Sequence, residues 1–132
     1  MDRSRFLAGL IGPTLTVLAL SLLINPGLAA AMVTDVADNL ALIVVAGAVT
    51  LPVGLAIVLG HNAWKGWPIV VTLFGWLAIL GGAARVLFPV QIATLAPDLL
   101  ARCPGCVPVV ASVALLLGLF LSVMAFRPRP AA

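Results

Sequence analysis

Cys103 and Cys106 bracket a Pro-Gly pair and follow Arg102. A Cys-x-x-Cys of this kind closes a small disulfide in an oxidising compartment. It can also exchange with other thiols where a neighbouring cation and the positive end of a helix lower a thiolate pKa. A third use, metal binding shared across an oligomer, needs two further ligands to complete a tetrahedron. One His, four Asp and no Glu supply no obvious second pair. The expectation is a structural disulfide or inert thiols, with no metal, no cofactor and no catalytic residue, hence no enzyme.

The other polar residues favour anchoring over chemistry. His61, Asn62, Trp64 and Trp67 cluster where an apolar run ends. An imidazole there suits a helix C-terminus or a lipid headgroup, and indoles prefer the membrane interface. Arg85 stands four residues before Pro89, near enough to a membrane surface to snorkel, and Asp35 or Asp98 are its candidate ion-pair partners. Asp35, Asp38 and Asn39 precede an apolar run, as helix caps do.

What must position these residues follows from composition. Of 132 residues, 64% are apolar and 8% charged, with a mean hydropathy of +1.28; soluble domains carry about 25% charge. A soluble fold is excluded, and nucleic acid is an implausible partner. Residues 6–24, 40–60, 69–88 and 107–126 are each apolar and long enough to span a bilayer, which takes about 20 residues. None alternates with period two as a barrel strand would. The reading is an all-α integral membrane four-helix bundle, a single transmembrane domain over residues 1–132. Arg3 and Arg5 before an apolar run that ends in Ala29-Ala30-Ala31 resemble a signal peptide, but that run exceeds the usual length of about 7 to 15 residues. It is read as a retained span.

Basic residues orient the spans. Arg3, Arg5, Lys65, Arg127 and Arg129 fall on one side, and Arg85 and Arg102 on the other. Both termini and the 61–68 loop are therefore expected in the cytoplasm.

An offset of 63 residues pairs Leu10 with Leu73, Gly12 with Gly75, Pro26 with Pro89 and Asp35 with Asp98. After one extra residue it pairs Gly54 with Gly118. Two duplicated hairpins are implied, each a span, a stopping Pro, a short weakly amphipathic segment and a returning span. Gly47 and Gly54 in the second span match Gly75 and Gly82 in the third at seven-residue spacing, which lets those helices approach closely. Pro52 should kink the second span.

Residues 57–89 contain His61-Asn62-x-Trp64, Gly75-Trp76-Leu77 and Phe88-Pro89. This stretch resembles a family of small bacterial four-helix membrane proteins of unknown function, over roughly residues 20–90. Family members often have Lys-Gly where this chain has Gly81-Gly82. The resemblance implies a multi-pass protein of the bacterial inner membrane and no established chemistry. Small multidrug transporters are of similar size but depend on a membrane Glu, which this chain lacks. Quinone-linked thiol oxidases relay electrons through a second cysteine pair, and the chain has two cysteines in all.

Three functions are weighed. The favoured one is a non-enzymatic accessory or assembly subunit in the lipid bilayer, packing against a larger inner-membrane complex, respiratory or photosynthetic, or against itself. The second is an oligomeric transporter or channel for small solutes. The third is a thiol-disulfide redox protein that uses the Cys103–Cys106 pair.

Overall fold

The structure is a computed structural model in which residues 3–62 and 64–128 are described; Arg129, used in the charge count, lies outside them. It is all-helical, with six helices among the described residues: α1 (Arg3–Ile24), α2 (Leu28–Ala37), α3 (Leu40–Gly60), α4 (Ile69–Leu87), α5 (Pro89–Arg102) and α6 (Cys106–Phe126). Four of them, with 22, 21, 19 and 21 residues, are long and apolar enough to cross a membrane. At 1.5 Å per residue they measure roughly 29 to 33 Å, the thickness of a hydrocarbon core. The chain is a small multi-pass integral membrane protein.

Breakers and caps set the element boundaries. Asn25-Pro26 ends α1, and Gly27 starts α2 with a φ of 87°, a left-handed conformation that glycine adopts without steric cost. Asn39 is the cap of α3, its side chain accepting from the Leu42 N–H at 3.2 Å. Asp35 lies inside α2 and Asp38 closes its C-terminal end, so Asn39 alone of the three candidate caps serves α3. Pro89 takes the first turn of α5, where its missing N–H leaves nothing unsatisfied. The segments between the paired spans, residues 28–37 and 89–102, are thus helices in their own right, which the sequence reading left undefined.

The chain divides into two compact units, residues 1–26 with 107–132 and residues 27–106. In the first, α1 and α6 run antiparallel at close range. A Cβ on Gly12 would lie 2.7 Å from the Ser122 nitrogen, and one on Gly118 would lie 2.8 Å from the Thr16 nitrogen. In the second, α3 and α4 cross antiparallel through two such approaches. A Cβ on Gly47 would lie 2.8 Å from the Gly82 carbonyl oxygen, and one on Gly54 2.8 Å from that of Gly75. Distances this short admit only glycine, and the backbone contact they allow drives association in a solvent where apolar burial does not. Helices α2 and α5 pack against each other and against the ends of the α3–α4 pair.

The same contact therefore occurs twice. The offset that pairs Gly12 with Gly75 and Gly54 with Gly118 converts the Gly54–Gly75 crossing into the Gly118–Gly12 crossing. The first spanning helix of each copy packs on the last spanning helix of the other. Burial follows the offset as well: Ala8 matches Val71, Ala19 matches Gly82, Gly47 matches Ala111 and Ile57 matches Leu121, all buried.

Candidate functional site

Cys103 and Cys106 are joined by a disulfide across a Cα–Cα distance of 5.4 Å. Cys103 closes α5 and Cys106 opens α6, so the bond staples the turn between them, and both residues are exposed. Arg102, the cation expected to tune a thiolate, instead pairs with Asp98 one turn earlier on α5 at 3.1 Å. That pair is exposed, and screening by water leaves it little energy.

This pairing overturns an expectation. With Asp98 engaged by Arg102, Arg85 makes no ion pair with Asp98, nor with Asp35, among the described residues. Arg85 sits near the end of α4, where a long cationic side chain would be expected to reach outward. It is half-buried, and it folds back along its own helix, with Nη1 3.3 Å from where a Cβ on Gly81 would stand. The guanidinium rests over a glycine one turn deeper than its own Cα. The two residues are spaced i and i+4, which was legible, but the direction of the side chain was not.

Arg85 also lines a cavity of about 260 Å³, wholly within the second unit. Its other walls are apolar: Met32 and Val36 of α2, Ile43 and Ala46 of α3, and Ile92 of α5. Sequence reasoning missed this cavity because it did not recognise α2 and α5 as helices that pack together.

At the opposite end of the α3–α4 pair, His61 closes α3, its backbone N–H donating to the Ile57 carbonyl at 2.7 Å. The residue is only 7% exposed, so its side chain packs within the protein. Asn62 and Trp64 are exposed, and Trp67 is half-buried. Gly66, with a φ of 72°, turns the chain between Trp64 and Trp67.

Five hydroxyls within the spans are spent locally. Thr14, Thr16, Thr50, Ser112 and Ser122 each donate to the carbonyl oxygen four residues earlier on the same helix, at 2.6 to 2.8 Å. No cluster of three or more His, Cys, Asp or Glu forms among the described residues.

Comparisons with protein-family models, curated proteins and solved structures return no match. The resemblance carried by His61, Asn62, Trp64 and the Gly75-Trp76-Leu77 run therefore assigns no family.

Proposed function

We propose that the protein is a non-enzymatic membrane subunit that works by lateral association, against a larger membrane complex or against further copies of itself. The observation that carries this reading is the ridge Val45, Val49 and Val53 on α3, exposed along two turns. Residues four apart form the ridges by which helices interdigitate. Branched side chains on such a ridge keep few rotamers, so ordering them against a partner costs little entropy. The glycine faces are already used inside the chain, which leaves these aliphatic ridges as the surface for a partner.

The transporter reading fares less well, because the span hydroxyls named above are turned back onto their own helices and not toward a polar route. The redox reading rests on one exposed disulfide with no second cysteine pair to pass electrons onward.

A photo-crosslinking residue placed at Val49 in cells, with the buried Ile57 as control, tests the proposal. The expected result is one discrete adduct from Val49, at twice the chain mass for self-association or at the chain mass plus that of one partner subunit for a complex, and none from Ile57. A smear of unrelated adducts, or no adduct from any ridge position, would overturn it. Native mass spectrometry in mild detergent then identifies the partner and its stoichiometry.

A further inference from the structure

We propose that the cavity between α2, α5 and the adjoining ends of α3 and α4 holds one anionic phospholipid, its phosphate on Arg85 and an acyl chain along the apolar wall. An arginine on a membrane-spanning helix is costly unless it meets a counter-charge or water, and near a helix end it ordinarily snorkels outward. Arg85 does neither. Its guanidinium lies over Gly81, six residues from the end of α4 at Leu87 and so roughly 9 Å along the axis. Amphipathic helices at a membrane surface bury their apolar face to a depth of about 5 to 10 Å. Helices α2 and α5, too short to span, wall the cavity with Met32, Val36 and Ile92. A phosphate drawn in beside them reaches the level of the guanidinium.

The charges around the cavity point to an anion brought from outside the chain. Arg102 is occupied by Asp98, Asp35 and Asp38 are exposed, and Arg85 has no ion-pair partner among the described residues. A guanidinium offers a planar fork of N–H donors that matches two phosphate oxygens. Met32, Val36, Ile43, Ala46 and Ile92 offer nothing to a free aqueous anion and much to a hydrocarbon chain. The occupant must carry both parts, and a membrane phospholipid with net negative charge does. The volume, about 260 Å³, is just below the range of about 300 to 1,000 Å³ usual for ligand pockets, so it takes the phosphate and the nearest chain carbons while the rest of the lipid stays in the bilayer. Binding is non-covalent and leaves the disulfide and the glycine crossings untouched.

This assignment does not depend on the association reading, because retained lipid is measured on the chain alone. The test uses the full chain, stripped of lipid in dodecyl maltoside and titrated separately with phosphatidylglycerol, phosphatidylcholine and oleate, with bound molecules counted by native mass spectrometry. The expected result is one phosphatidylglycerol per chain, at least tenfold tighter than phosphatidylcholine or oleate and not displaced by millimolar inorganic phosphate. Arg85→Gln should weaken it at least tenfold, Arg85→Lys should restore part of the loss, and Arg102→Gln should leave it unchanged. Ala96→Phe, which fills the cavity from α5 and keeps the arginine, should also expel the lipid. Equal retention by Arg85→Gln and the parent chain, equal loss in Arg102→Gln, or preference for phosphatidylcholine, oleate or inorganic phosphate would overturn the proposal. If Arg85→Gln does not fold, Ala96→Phe decides: unchanged retention there rejects the site.

Discussion

The disulfide is the one covalent constraint in the chain beyond the backbone, and its role follows from the size of the ring it closes. Loop-entropy reasoning for so short a ring gives a stabilisation of about 2 kcal/mol. Replacing both Cys103 and Cys106 by Ser should lower the thermal midpoint in detergent modestly and leave crosslinking from Val49 intact. A partner trapped by Cys106→Ser alone, visible on a non-reducing gel and lost in the double variant, would show thiol exchange instead. The cysteine spacing was legible because a disulfide depends on local geometry, and Cys-x-x-Cys brings its own sulfurs within reach. The environment of Arg85 was not, since the choice between Asp35, Asp98 and no partner depends on which segments are helical. Once residues 89–102 coil, Asp98 and Arg102 become neighbours at i and i+4, and the nearer pair forms. Burial of His61 belongs to the same class, since it is set by what packs around the end of α3 and not by its neighbours in sequence.

Among the elements, the four spans were readable because membrane length and apolarity are properties of a continuous stretch. Their observed bounds fall within a few residues of the expected ones. Helices α2 and α5 were harder, as 10 and 14 residues with scattered polar groups carry too little periodicity to separate a helix from an irregular crossing. Their boundaries lie in Pro26-Gly27 and Pro89, which were read as stops but are also starts. The turn between α2 and α3 depends on Asn39, whose side-chain oxygen accepts from the Leu42 N–H among the amides that an isolated helix end leaves unpaired. Asn39→Ala should therefore cost about 1 kcal/mol of stability and Asn39→Asp much less, measured as unfolding midpoints in the same detergent. Equal midpoints for the two variants would mean that lipid or water already satisfies this end of α3.

At the scale of the whole molecule, an even number of spans predicts both termini on one side of the membrane, and the excess of basic residues predicts the cytoplasmic side. Reporter fusions at the C-terminus and within residues 29–38 should give opposite signals, the C-terminal one cytoplasmic. Equal accessibility of both sites to an impermeant label would reject this topology. The repeat makes a sharper demand. If the two halves descend from one hairpin, the α3–α4 and α1–α6 crossings are versions of a single interface, and equivalent substitutions should cost similar energies. Gly54 and Gly118 are the equivalent positions, and a Cβ on either would stand under 3 Å from backbone atoms of the facing helix. Relief requires the helices to separate, and overpacking of this kind costs about 1 to 3 kcal/mol. Gly54→Val and Gly118→Val should each lower stability within that range and by amounts that agree within about 0.5 kcal/mol, read by reversible unfolding in mixed micelles. The double variant should show close to the sum, because the two crossings share no residue. Gly60, with open space around its Cα, supplies the control: Gly60→Ala should change little. A large cost at Gly54 beside none at Gly118 would mean that the shared spacing of glycines is not a shared interface, and the duplication would lose its energetic support.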